Sequence, residues 1–86
     1  MQPEKKLETC RKRIDELDAR IMKLLVKRFE LVRAVGKNKK RSGLKIVSRK
    51  RESEVISNAL KVSGLRKQFL RKLYRVIFDE AYEMEK

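Results

Sequence analysis

The chain has 86 residues, with 25 Lys and Arg against 12 Asp and Glu, no His and one Cys, for a net charge of +13. That is one short domain whose core is small for a monomer, which favours oligomerisation, and its charge points to an anionic partner or substrate. A single cysteine allows no intrachain disulfide, which fits a reducing cytoplasm; no apolar run approaches membrane-spanning length, and Met1 to Lys6 is polar with no hydrophobic segment behind it, so neither a signal peptide nor an anchor is expected.

In chain order, Pro3 sits where a helix can begin, and Glu4 and Glu8 fall in its first two turns, favourable against the positive helix end. From Glu4 to about Arg41 the apolar residues Leu7, Cys10, Ile14, Leu17, Ile21, Leu24, Leu31 and Val35 alternate by threes and fours. This is one helix face sustained over about four heptads. Cys10 belongs to that seam as a small core side chain rather than a nucleophile. At position 28, where the rhythm asks for Leu, stands Arg28. A lone buried guanidinium costs several kcal/mol unless it is paired or has a ligand, so Arg28 faces either an open end of the packing or an anion. About 38 helical residues span roughly 55 Å, whereas a compact chain of this size has a radius of gyration of about 12 Å. The helix is therefore expected to overhang its own domain, and the simplest cover for its seam is a second, antiparallel copy of the chain. Gly36 offers an earlier stop; Ser42-Gly43 is the better one.

Arg33 to Arg51 holds nine Lys or Arg residues and no acid, and it is where the chain turns, with Leu44, Ile46 and Val47 as apolar anchors. Ser48 is a plausible N-cap for a second helix from about Arg49 to Val62 that buries Val55, Ile56, Ala59 and Leu60. Ser63-Gly64 stops it. A third helix, about Lys67 to Glu85, carries Leu70, Leu73, Tyr74, Ile77, Phe78, Ala81 and Met84 along one face. Nothing reads as a strand. The expected fold is all-α: three helices, the first very long, in an intertwined antiparallel homodimer.

The chemistry follows by elimination. Without His, with no cysteine outside the seam and with no acidic cluster at ligand spacing, a metal site is not expected. The three glycines are scattered, so there is no phosphate loop, and a serine or cysteine nucleophile would lack a histidine base. What remains is a set of awkwardly placed cations and a reaction that binding and electrostatics alone can accelerate. Arg28 and Lys39 are close to three helical turns apart, on one face with backbones roughly 16 Å apart; each side chain reaches about 6 Å, and the gap left between their tips suits a small dianion. Arg11 lies about 25 Å before Arg28 and is rotated by about 100°. It would not serve the same pocket within one chain, but in an antiparallel dimer it could serve the partner's. Arg51 and Glu52 open the second helix, and a carboxylate in so basic a place is either paired to Arg49 or Arg51 or binding a ligand hydroxyl.

Arg11-x-x-Ile14-Asp15-x-Leu17-Asp18, Leu24-Leu25-x-x-Arg28, Val35-Gly36-x-x-Lys39 and Arg51-Glu52 together resemble the all-helical class of chorismate mutase, and the resemblance covers essentially the whole chain. It implies an intertwined dimer that converts chorismate to prephenate with no cofactor and no covalent intermediate. It further implies that Arg11 reaches a substrate carboxylate from the partner chain and that Arg28 holds a carboxylate from its own. Lys39 would hydrogen-bond the breaking ether oxygen and a carboxylate, Arg51 would be a supporting cation, and Glu52 would accept the ring hydroxyl. Two features depart from the family pattern. Ser48 stands where many members have an acid, and Ala81 and Glu85 stand where a Ser and a Gln are common.

Glu85 shares the buried face of the third helix with Ala81 and Ile77, although it is one residue from the end of the chain. If it replaces the family's amide, it donates to the ether oxygen, and a carboxyl group donates only when protonated. Two other readings stand beside this one. A basic helical nucleic-acid-binding module would use Arg33 to Arg51 against phosphates, but no aromatic lies between Phe29 and Phe69 to stack bases, and Arg28 would be unexplained. An isochorismate-pyruvate lyase on the same fold would use the same carboxylate-clamping cations; Glu52, set for a ring hydroxyl, favours the mutase.

Overall fold

The computed structural model describes residues 3–86; the first two residues of the polar N-terminal stretch lie outside the described residues. Three helices follow in order: α1, Pro3–Ser42; α2, Arg49–Ser63; and α3, Lys67–Glu85. No described helix is long and apolar enough to cross a membrane. Two compact units are present, one ending at Glu30 and the other running from Leu31 to Lys86.

The first unit consists of α1 residues alone. Its seam is open, with Leu7, Ile14, Leu17 and Ile21 each exposing half or more of their surface, and Cys10 is likewise exposed. Arg28 is half-buried. The second unit holds the core. Leu70, Phe78 and Ala81 of α3 are buried, eight and three residues apart down one helix face. Val55, Ile56, Ala59 and Leu60 of α2 are half-buried, and Tyr74 and Phe78 stack with ring centroids 5.3 Å apart.

Local rules account for the helix ends. Gly43 adopts φ +67°, and the N–H groups of Gly43 and Leu44 return to the carbonyls of Lys40 and Lys39 at 3.4 and 2.9 Å. This pairing satisfies two otherwise orphaned carbonyls and needs a left-handed residue, which glycine provides without steric cost. Ser48 caps α2, its Oγ accepting from the Arg51 N–H at 3.2 Å, and at the other end Gly64 donates its N–H to the Leu60 carbonyl at 3.1 Å.

Gly36 is not a helix stop. It lies inside α1 and is the one buried residue among those described in that helix. A Cβ at this position would stand 2.8 Å from Glu85 Cα, 2.9 Å from its carbonyl oxygen and 3.1 Å from its Cβ. The α1 backbone therefore meets the α3 backbone here, at a separation that only the missing side chain permits. Lys40 closes the same crossing by donating from Nζ to the Lys86 carbonyl.

This crossing yields a stability prediction with an unusual sign. Helix propensity alone favours Ala over Gly by about 1 kcal/mol. Overpacking against backbone that has no rotamer to change costs about 1–3 kcal/mol, so Gly36→Ala is expected to be less stable than wild type in urea unfolding. A Gly36→Ala chain as stable as wild type or more so would remove the close crossing.

Candidate active site

The crossing at Gly36 brings the end of α3 against the next turn of α1. Lys39 Nζ lies 2.6 Å from Glu85 Oε1, with only 18% of the lysine side chain and 5% of the glutamate exposed. The same ammonium donates to the Ile46 carbonyl at 2.5 Å and stands 5.9 Å from the centre of the Tyr82 ring, a cation–π distance. The Lys39–Glu85 contact is one of charge proximity without hydrogen-bond alignment, because Glu85 Oε1 is buried and has no aligned donor. The Lys39 charge offsets part of the cost of burying that oxygen, although no aligned hydrogen bond completes it. Ala81, one turn earlier on the same face of α3, is also buried and offers only a methyl group.

A second cluster surrounds Glu52. Ser48, by capping α2, fixes the first turn in which Glu52 sits, and Glu52 is itself buried. Arg49 Nη1 donates to both carboxylate oxygens at 3.1 and 3.0 Å. Arg75 reaches across from α3, Nη1 to Oε1 at 3.1 Å and Nη2 to Oε2 at 3.5 Å. Tyr82 donates its hydroxyl to Oε2. Burial pushes the Glu52 carboxyl up, but the bonds from Tyr82, Arg75 and Arg49 and the Arg75 charge outweigh it and leave the pKa below the ordinary value of 4.5. Burial and the bond to Glu52 push the Tyr82 phenol up. Arg75 is held charged first by Asp79, at 2.7 Å, and then by Glu52.

Of the residues singled out in the sequence, Lys39 and Glu85 meet each other, while Ser48 and Glu52 share the first turn of α2. Arg51 is exposed and pairs with Glu54 at 3.3 Å, so the partner of Glu52 on its own helix is Arg49. Arg11, exposed, and Arg28, half-buried, belong to the first unit. Sequence reasoning missed Arg75 and Tyr82. Their seven-residue spacing on α3, two helical turns, was the available signal, but it does not say that Glu52 would be their common partner.

The chain matches the chorismate mutase type II family over residues 10–86. It is 33% identical over 82 residues to a T-protein of Enterobacter agglomerans, an alignment that takes in 92% of this chain and 22% of that protein. The chain thus spans less than a quarter of the length of that curated relative. Among solved structures it resembles a conserved hypothetical protein from Pyrococcus furiosus, with a TM-score of 0.79 and 34% identity, covering 94% of this chain and 96% of that one.

The Glu52 cluster has a pH signature. With its folded pKa below the unfolded value, Glu52 contributes stability above the unfolded pKa of about 4.5, and that contribution is lost as pH falls through the folded pKa. A Glu52→Gln chain is expected to be about 1–2 kcal/mol less stable than wild type at neutral pH, with the gap narrowing in acid. Urea unfolding of both chains at neutral pH and near pH 3 measures it; a gap that widens on acidification would contradict the assignment.

Proposed function

This chain belongs to the chorismate mutase type II family, and we propose that it converts chorismate to prephenate, a step of phenylalanine and tyrosine biosynthesis, by binding and electrostatics without a cofactor. The observation that carries the reading is the buried Lys39–Glu85 contact beside Ala81, a cation and a carboxyl where an ether oxygen needs stabilising.

In this rearrangement one C–O bond breaks as one C–C bond forms, and the electrons shift within a single molecule, so no group need be donated or removed. The substrate must be folded with its enolpyruvyl carbon over the ring. Clamping its two carboxylates with Arg11 and Arg28 imposes that geometry in advance. As the ether bond breaks, negative charge grows on its oxygen. Lys39, held by the Ile46 carbonyl with little exposure, stabilises that charge more in the transition state than in the ground state. The ether oxygen would enter between Lys39 and Glu85, replacing their direct contact, and Glu85 would donate to it in the protonated form. Ser48 and Arg51 would complete the polar wall.

Chorismate consumption and prephenate formation by the purified chain test this directly. Lys39→Ala is expected to lower kcat and kcat/KM together, by about a hundredfold or more, whereas Lys37→Ala changes little. In the same assay Glu85→Gln is expected to be at least as active as wild type, since its amide always carries a donor. Equal behaviour of the two lysine variants would reduce the basic stretch to a diffuse field.

The open seam of the first unit supports an antiparallel homodimer in which Arg11 serves the other chain's site. Mixing Arg11→Ala with Arg28→Ala chains, each inactive alone, would then restore activity, because one site of the mixed dimer holds both arginines. Verified subunit exchange with no recovery of activity would place Arg11 in its own chain's site or in none.

A further inference from the structure

We propose that the Tyr82 hydroxyl, bonded to Glu52, is the group that receives the substrate's ring hydroxyl, so that Tyr82 sets specificity in this chain and Glu52 acts through it. The inference rests on the mutase reading above and changes the residue that makes the contact.

The argument begins with what Glu52 has left to offer. An ionised carboxylate accepts at about four lone-pair positions. Oε1 already takes Arg49 and Arg75, and Oε2 takes Arg49, a longer contact from Arg75 and the phenol of Tyr82. A ligand hydroxyl could reach Glu52 only by displacing one of these donors. Loss of an arginine would leave a buried carboxylate with fewer positive partners, a costly exchange. Loss of the Tyr82 bond would take away one of the contacts that hold the Glu52 carboxylate charged.

Tyr82 needs no such displacement. Its oxygen spends its one hydrogen on Glu52 and accepts from no other described side chain. One lone pair remains for an incoming O–H. Because the acceptor behind it is a carboxylate, the phenol oxygen is polarised into a better acceptor than a free phenol. The raised pKa of the phenol keeps its proton in place at working pH, so the chain substrate O–H to Tyr82 O–H to Glu52 carries no net proton transfer. The ring centre also stands 5.9 Å from Lys39 Nζ, so the phenol that would meet the ring hydroxyl and the ammonium that would meet the ether oxygen are neighbours. A substrate held at both would have its ring hydroxyl and its ether oxygen set by one rigid side chain.

The test compares wild type with Tyr82→Phe on chorismate and on an analogue lacking the ring hydroxyl. Tyr82→Phe keeps the ring beneath Lys39 and removes only the oxygen. A hydrogen bond of this kind corresponds to about tenfold to a hundredfold in kcat/KM. Wild type should therefore prefer chorismate over the deoxy analogue by that factor, and Tyr82→Phe should lose the preference while turning over the analogue as wild type does. A Tyr82→Phe chain that discriminates as wild type does would overturn the proposal. A second measurement needs no variant: with tyrosine carbon-13 labelled at Cζ, the wild-type chain shows two signals, from Tyr74 and Tyr82. The Tyr82 signal should move on binding prephenate, which keeps the ring hydroxyl, and not on binding its deoxy analogue. Identical responses to the two ligands would overturn the proposal as well. A wild-type chain that leaves chorismate unchanged would defeat the mutase reading itself and this inference with it; an active wild type with an unselective Tyr82 defeats this inference alone.

Discussion

The second unit depends on one contact of backbone with backbone. At Gly36 the α1 helix has no side chain, and the Cα and carbonyl of Glu85 occupy the space that a Cβ would need. Closer approach of two helices normally stops at the width of their side chains, about 8–10 Å between axes, and a glycine at the crossing removes that limit locally. Because Glu85 is the residue in contact, its side chain is delivered to the next turn of α1, where Lys39 stands. Tyr82, one turn before Glu85, is carried to the same region by the same crossing and reaches both Lys39 and Glu52.

Burying two carboxylates in a chain with a net charge of +13 is less paradoxical than it appears from residue counts. Each buried acid must be compensated, since an unpaired carboxylate out of water is strongly disfavoured, and the surplus of cations makes compensation available from several elements. Glu52 is matched by Arg49 from its own helix and Arg75 from α3, both of which keep much of their surface in water. Pairing of that kind leaves the desolvation cost mainly on one partner. Glu85 differs. It faces a lysine that is itself largely enclosed, and no aligned donor completes its Oε1. One acid is hydrogen-bonded from several sides, and the other meets a single enclosed cation.

The helices were legible because their causes are short-range. Gly43, Ser48 and Gly64 act on residues within five positions of themselves, and a period of three and four residues is visible in any window of a dozen. Hence the limits of α3 were expected at Lys67 and Glu85, and those of α1 and α2 to within a residue. Ser42-Gly43 was the expected stop of α1 and is the observed one, but the close approach at Gly36 lay outside local reading. A glycine near the end of a helical pattern reads equally as a stop or as a close approach, and only the position of another helix distinguishes the two. The candidate site divides in the same way: Lys39, Glu52 and Glu85 stood out as charged residues in awkward places, whereas Arg75 and Tyr82 looked like ordinary members of an amphipathic helix.

By itself, then, the sequence determined three helices, their ends, the long apolar seam, the absence of histidine and the excess of cations, because these depend on composition and on neighbours a few bonds away. The tertiary structure alone decided which cation each acid meets. Arg75 and Tyr82 lie 23 and 30 residues from Glu52 along the chain, and the Lys39–Glu85 contact joins opposite ends of the second unit. Such pairings are set by the rotation and separation of packed helices. Those follow from the combined fit of many side chains and, at Gly36, from the lack of one.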